Sequence, residues 1–369
     1  MQGQRIHFAI IGCGRIAGRH IEAIKGIANA TLTAVCDIDV ERAKEKAEFG
    51  KVPFYVNYHK MLHAHPEINV VIILTPSGMH FEHAAEIMQQ YKKHILIEKP
   101  MVMSLAQGHE LQRIAQQLNL KLFPLYQNRF NKAVQRVKTA MHAAGELGKV
   151  RVGTVRVRWC RPQRYYDLSP WRGTWAMDGG ALTNQGIHYI DLLRYLCGNI
   201  KRVHAKLATL GSDIEVEDTG VAILEFESGA LGVIEIMTSA RPQDYEASIS
   251  CVCEKGLAVI SGIATNVLQT FSPDPTQEKL ASEDFPTVYG FGHNDVIQGV
   301  VNCLLNNARP YIDFDDGLET IKLLHALYRS DEEGGWVDLA TAGDSKRLGK
   351  KDESLFDLYR TPAVEKSLS

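Results

Sequence analysis

Along the first third of the chain, apolar residues fall into short continuous runs separated by stretches of helical period. The runs are residues 6–12 (IHFAIIG), 32–39 (LTAVCDID), 69–76 (NVVIILTP), 94–100 (HILIEKP) and 120–129 (LKLFPLYQNR). Between them, residues 15–27, 39–49 and 78–91 repeat apolar positions every three or four residues, as a helix with one buried face does. Ser77 is placed to cap the helix over 78–91, and Ser104–Gln107 (SLAQ) reads as a capping box. Unbroken apolar strands alternating with helices predict a parallel sheet covered on both faces.

From about Val150 the pattern changes. Residues 150–159 (VRVGTVRVRW) alternate, and later runs such as TGVAILEF, GALGVIEIMT and EASISCVC do the same. Alternation predicts antiparallel strands with one wet face. Helices are few here: residues 132–144, 176–196 and 317–330. The expectation is a first domain over 1–128, an α+β domain over 129–343 on one broad, mostly antiparallel sheet, and a loose polar tail over 344–369. The uncovered face of a broad sheet needs burial, so it is expected to pack on another subunit.

Composition narrows the partners. Of 369 residues, 45% are apolar, and the net charge of −2 gives no global attraction to nucleic acid or membrane. Seven scattered cysteines without a CxxC or a metal-ligand spacing read as reduced thiols, so the expected location is the cytoplasm and no metal is expected.

Between the first strand and helix lies GCGRIA, residues 12–17. It is the alanine variant of the dinucleotide fingerprint. Gly12 permits the tight turn, Gly14 lets backbone approach a pyrophosphate, and Ala17 allows close helix packing. Arg15 and Ile16 complete the loop, and the helix N-terminus faces the phosphates. Asp37 ends the second strand at the distance where an acid bonds the ribose 2′-hydroxyl, which favours NAD; Arg15 and Arg19 leave a 2′-phosphate open. The fold class is therefore α/β, an N-terminal Rossmann dinucleotide-binding domain followed by the α+β domain. Thr75, Ser77 and His80 follow the strand over 69–76, at the carboxyl edge where ligands of this fold bind.

The helical stretch 176–196 is unusual. Ile187, Ile190, Leu193 and Leu196 give it an apolar face, yet it opens on Gly179-Gly180 and carries Asp178, Asn184, Gln185, His188 and Asp191. Together with Glu98-Lys99-Pro100 and GCGRIA, the run GGALTNQGIHYIDLL (179–193) resembles the glucose-fructose oxidoreductase / inositol dehydrogenase / MocA family. Residues 127–131 (QNRFN), 159–167 (WCRPQRYYD), 171–193 and 288–293 (VYGFGH) are similar to a narrower branch. That branch oxidises C3 of UDP-N-acetyl-2-amino-2-deoxyglucuronate during cell-surface polysaccharide (lipopolysaccharide O-antigen) synthesis.

The resemblance implies NAD as cofactor, a tetramer, and 2-oxoglutarate as reoxidant of bound NADH. It implies that Lys99 and His188 meet at the junction of cofactor and substrate. Oxidising an alcohol needs a proton acceptor and stabilisation of the developing alkoxide. Histidine titrates near neutrality, so His188 suits the first role and Lys99 the second; a buried lysine can also take the proton, so the roles can be exchanged. The resemblance also puts Glu98, Gln127, Trp171 and Arg172 near the cofactor, and Arg129, Arg164, Tyr166, Asn184, Gln185 and His293 near the substrate. Asp191 either orients His188 or is a helix-surface acid.

Inositol-type members carry aspartate where Asn184 stands, so this chain is expected to favour a substrate that is already anionic. The alternatives are a dehydrogenase of a free sugar or cyclitol, and a sugar-sensing regulator without chemistry. The presence of both Lys99 and His188 argues against the regulator.

Overall fold

The computed structural model describes residues 4–361 apart from Ala144, Pro286 and Val288. Val288, at the start of the 288–293 motif, and the last eight residues of the expected tail lie outside them.

The first body is a six-stranded parallel sheet. In chain order its elements are β1 (Ile6–Ile11), α1 (Ala17–Lys25), β2 (Ala30–Cys36), α2 (Val40–Gly50), β3 (Phe54–Tyr55), α3 (Tyr58–Ala64), β4 (Val70–Ile73), α4 (His80–Tyr91), β5 (His94–Ile97), α5 (Leu105–Leu118) and β6 (Leu122–Pro124). The strand order is β3-β2-β1-β4-β5-β6. Continuous apolar runs are needed because both faces are buried. Ala9, Ile11, Val71, Ile73, Ile95 and Ile97 pack with α3, α4 and α5, while Phe8, Ile10, Val70, Ile72 and Leu96 pack the other way with α1. The order reverses between β1 and β4, which opens a crevice at their carboxyl ends.

The second body follows α6 (Lys132–Met141). Its elements are β7 (Val150–Arg158), α7 (Gln163–Tyr166), α8 (Ile187–Cys197), β8 (Ile200–Ala208), β9 (Thr219–Phe226), β10 (Leu231–Met237), β11 (Glu246–Cys253), β12 (Leu257–Ser261), β13 (Val267–Phe271), α9 (Thr276–Leu280), α10 (Gly292–Asn306), α11 (Phe314–Glu333), β14 (Val337–Asp338) and α12 (Glu353–Asp357). Eight strands form one sheet in the order β13-β12-β11-β7-β10-β9-β8-β14. Every pairing is antiparallel except β7 with β10. Its inner residues, among them Val155, Val157, Ile234, Ile236 and Ile249, are buried with Ile187, Ile190, Leu193 and Leu196 of α8. No helix among the described residues is long and apolar enough to cross a membrane.

Four expectations are corrected. Residues 176–180 are not helical: a π turn over Ala181–Gln185 precedes α8. Ser77 caps nothing, because a 3₁₀ turn over Ser77–Met79 intervenes before α4. Ser104, by contrast, accepts from Gln107 N at 3.1 Å and does cap α5. The helix α10, absent from the periodicity reading, returns to the first sheet and packs Val296, Ile297, Val300 and Val301 beside Phe8 and Ile10.

Finally, residues 344–361 are tied down. Asp344 accepts from Leu105 N at 2.6 Å, Arg347 pairs with Asp331 and Glu332, and Phe356 is buried against Met79, Ala176 and Met177. Arg360 grips Glu82 of α4 with two nitrogens. The tail's polar composition is matched by polar partners, so it does not imply looseness.

Candidate active site

The loop from β1 to α1 is shaped for a nucleotide. Gly12 has φ +96°, and a Cβ there would lie 2.6 Å from the Leu74 carbonyl, so the turn itself requires glycine. A Cβ on Gly14 would meet no atom within 4 Å. Nothing in the protein demands glycine at 14, whereas a pyrophosphate approaching the backbone does. Ile16 precedes α1 without a side-chain cap, which leaves the helix's first N–H groups available for an anion.

Asp37 accepts from Cys13 N at 2.6 Å and from Asp39 N at 2.9 Å, so it fixes the glycine loop at the edge where a ribose would lie. Arg15 is exposed beside it. Arg19 is committed to Glu22 (2.8 Å) and Thr287 (3.1 Å), away from a phosphate role. These residues fit a dinucleotide.

Beyond β4, Thr75 and Ser77 line the crevice edge, and Gly78 N donates to Met177 O across the seam to the second body. His80 is turned inward. It is buried, with Nδ1 2.8 Å from Pro100 O and Nε2 2.9 Å from Thr75 O. Both ring nitrogens are spent on backbone carbonyls, so His80 braces the two loops instead of facing a ligand.

The same brace presents Lys99. Its Nζ donates to Asn184 O at 2.8 Å and Asn184 Oδ1 at 3.3 Å, joining the end of β5 to the π turn. Burial pulls its amine below the ordinary lysine range, against the nearby Glu98 and Asp178 charges. His188, in the first turn of α8, lies within electrostatic reach of Lys99. Burial, reinforced by that lysine, pulls its imidazole down to about 3, so it is neutral at working pH. Its Nδ1 is buried without a partner among the described residues.

Glu98 does not face the crevice. It lies 3.4 Å from His20 Nε2 and accepts from Lys99 N at 2.9 Å. Burial alone would raise its carboxyl, but His20, Lys99 and His293 outweigh that and hold it at about 2. His20, Glu98 and His293 bring ligand-type atoms within 4.8 Å of one another. The contact between His20 and Glu98 already uses one ligand-type atom of each, so the cluster reads as structural support. His293 is buried edge-on to His20, 5.0 Å between ring centroids, with neither nitrogen partnered among the described residues. Gln127 Oε1 is likewise buried and unpartnered.

Trp171 and Arg172 stand together at the seam. The Arg172 guanidinium lies 4.4 Å from the ring centroids of both Trp171 and Tyr165, and it donates to Tyr165 Oη at 2.6 Å. Gln185 Nε2 reaches the same hydroxyl at 3.3 Å. Tyr165, not among the expected site residues, therefore joins the site. Its neighbour Tyr166, expected at the substrate, is buried instead and bonds Thr238 Oγ1 at 3.0 Å. Arg164 is exposed on α7.

Arg129 is also withdrawn from the substrate. It is buried, pairs with both Asp191 oxygens (2.6 and 2.7 Å), and also contacts Asp316. Asp191 takes Thr320 Oγ1 as well, at 2.8 Å, so it neither orients His188 nor lies on the helix surface. Asp178, the residue missed, is buried behind the site, where its Oδ2 accepts Gly173 N at 2.7 Å and its Oδ1 accepts Asn184 Nδ2.

Comparison with known proteins agrees with this arrangement. Residues 6–126 match the model of the oxidoreductase family with NAD-binding Rossmann fold, and residues 134–259 match the GFO/IDH/MocA C-terminal domain. The WlbA dehydrogenase of Bordetella pertussis, solved with NADH and UDP-GlcNAcA, is 36% identical with a TM-score of 0.85, over 92% of this chain and 99% of that one. Its Chromobacterium violaceum counterpart, solved with the same two ligands, is 37% identical with a TM-score of 0.84, over 92% and 97%. Myo-inositol 2-dehydrogenase of Thermotoga maritima is 25% identical over 90% of this chain and 98% of its own. The chain belongs to the GFO/IDH/MocA family of oxidoreductases, and its cofactor is NAD.

Proposed function

We propose that the chain oxidises the C3 hydroxyl of UDP-N-acetylglucosaminuronate to the 3-keto sugar in the cytoplasm, as a step in cell-surface polysaccharide (lipopolysaccharide O-antigen) synthesis. The observation that carries the reading is the amide at 184. Lys99 meets a neutral side chain there, and Arg172 adds a second cation near the same crevice. A uronate carboxylate and a diphosphate are accommodated by such a surface, whereas a carboxylate at 184 would repel them. The two WlbA structures, similar over nearly the whole chain, hold that sugar nucleotide.

Bound NAD, held by Gly12, Gly14, Arg15, Ile16, Asp37, Thr75, Ser77, Trp171 and Arg172, supplies the acceptor for the C3–H electron pair. His188, neutral because its imidazole is held near 3, is too weak a base to take the hydroxyl proton beforehand and accepts it as the C3–H electron pair leaves. Lys99 holds the hydroxyl oxygen through an N–H and stabilises the charge that develops on it. Asn184, Gln185 and His293 flank the sugar. 2-Oxoglutarate would serve as the oxidant that regenerates the cofactor in place.

The subunits assemble through the outer face of the second sheet, as a tetramer. Leu231 and Val252 flank Val152 there, and Val233 pairs with Ile223; four of these five apolar side chains are exposed, and Val152 is half-buried. A second reading, oxidation of a free sugar or cyclitol, is favoured by relatives such as the Thermotoga inositol dehydrogenase.

The test is incubation of purified protein with NAD and UDP-N-acetylglucosaminuronate, with and without 2-oxoglutarate, beside myo-inositol and unlinked sugars. A 3-keto nucleotide sugar that accumulates with 2-oxoglutarate is the expected result. Turnover of myo-inositol or unlinked sugars alone would replace this reading with the second.

A further inference from the structure

We propose that Asp178 is the positioning residue of the active-site lysine, acting through Asn184. The chain of contacts is Lys99 Nζ to Asn184 Oδ1, then Asn184 Nδ2 to Asp178 Oδ1, with the far carboxylate oxygen held by Gly173 N. Asp178 is only 1% exposed, and its other hydrogen bond is to that backbone N–H.

An amide has one accepting and one donating end. Because the donating end is held by a carboxylate, the accepting end must point at Lys99. A flipped amide would set oxygen against the carboxylate and N–H₂ against the ammonium, two repulsive contacts in place of two attractive ones. Asp178 thus fixes the orientation of Asn184 and, through it, the side-chain contact of Lys99 Nζ, whose other bond is to the Asn184 backbone oxygen at 2.8 Å. The Asp178 carboxylate stands one side chain behind Asn184, with an amide between it and the crevice, so its charge supports the lysine without facing the substrate.

The other charged or titratable groups within electrostatic reach of Lys99 are Glu98 beside it, His80 from α4, His188 from α8 and Arg172 from the loop after α7. Those facing Asp178 are Lys99, Arg172, Tyr165, Tyr166 and Tyr328. Burial raises the Asp178 carboxyl to about 6, so it is ionised at neutral and alkaline pH. An anion there raises the lysine's affinity for its proton, and its removal lowers it.

The inference rests on the proposed place of Lys99 in the chemistry, not on the choice of substrate. Its test is the pH dependence of Lys99 acylation by trace acetic anhydride, read by peptide mass spectrometry on the full-length protein. Asp178→Asn should lower the midpoint by about half to one unit, and Asn184→Ala should lower it too while leaving the Gly173 bond in place. Asn184→Asp should raise the midpoint. The double exchange Asp178→Asn/Asn184→Asp, which swaps amide and acid, should bring it back toward the parent value.

With any sugar that is turned over, the limb of the pH–rate profile that follows Lys99 should move in the same order, and kcat should fall by about 10- to 100-fold in Asp178→Asn. A Lys99 midpoint unchanged in both Asn184→Ala and Asn184→Asp would overturn the inference, even if Asp178→Asn fails to fold. Labelling needs no substrate, so failure of the UDP-sugar reading leaves this result standing on its own.

Discussion

Two successive turns of one helix region show how the molecule treats polar groups. At Asn184–His188 the polar groups gather around the crevice, with His188 Nδ1 unpartnered among the described residues and Lys99 Nζ held by the backbone and side-chain oxygens of Asn184. One turn later, Asp191 and Arg194 are also buried, yet Arg129, Asp316 and Thr320 complete their bonding. Buried polar groups are costly unless paired, so an unpaired group marks a place where something else binds, and a fully paired one marks architecture. The helix is polar at both turns for opposite reasons.

The sharpest way to break this contrast is to truncate one group from each class. Lys99→Ala and His188→Ala should lower kcat by about 10²–10⁴-fold, with melting temperatures close to the parent, in steady-state assays and thermal scans. Arg129→Ala should do the reverse. Leaving buried Asp191 without its cation, while Asp316 keeps Arg194, should cost about 3–5 kcal/mol in urea unfolding, with the activity of the remaining folded enzyme retained. A large loss of turnover per folded molecule in Arg129→Ala would put that arginine back at the substrate.

Glu217 lies between the two classes. Its Oε1 takes Leu182 N and Tyr328 Oη, while its Oε2 is buried and unpartnered among the described residues. Burial raises its carboxyl to about 8. A raised folded pKa gives stability that is complete below the unfolded value near 4.5 and lost as pH rises toward 8. Glu217→Gln should therefore gain on the parent between pH 5 and pH 8, by on the order of a few kcal/mol, in denaturant titrations at the two pH values.

The smallest contrast is between adjacent tyrosines. Tyr166→Phe should cost about 1 kcal/mol of stability and leave kinetics alone. Tyr165→Phe, which releases Arg172 and Gln185, should raise KM by roughly threefold to tenfold with little change in melting temperature.

Much of this was legible in the residues. The first sheet follows from runs that are apolar on both faces, and Gly12, Gly14 and Asp37 sit where the fingerprint requires. Lys99 and His188 come together although 89 positions separate them in the chain. What escaped depended on partners that spacing cannot reveal. Arg129 meets Asp191 from 62 residues away. Asp178 and Asn184 are six apart, outside helical pairing, and are joined across Gly179 and Gly180, whose φ of +77° and +79° turn the chain ahead of the π turn. His80 is occupied by two backbone carbonyls, which no side-chain pattern records. The helix α10 begins without a side-chain cap, so its start carried no signal.

That helix bears on how the protein is made. Val296, Ile297, Val300 and Val301 cover part of a sheet face whose last strand ends at residue 124. At ordinary rates of synthesis, the intervening stretch takes on the order of 10–30 s to emerge from the ribosome. For that interval the cluster around Phe8, Ile10, Val70 and Ile72 lacks the four valine and isoleucine side chains of α10. The nucleotide-binding half is thus completed last, by a piece of chain that arrives after most of the second sheet has been made.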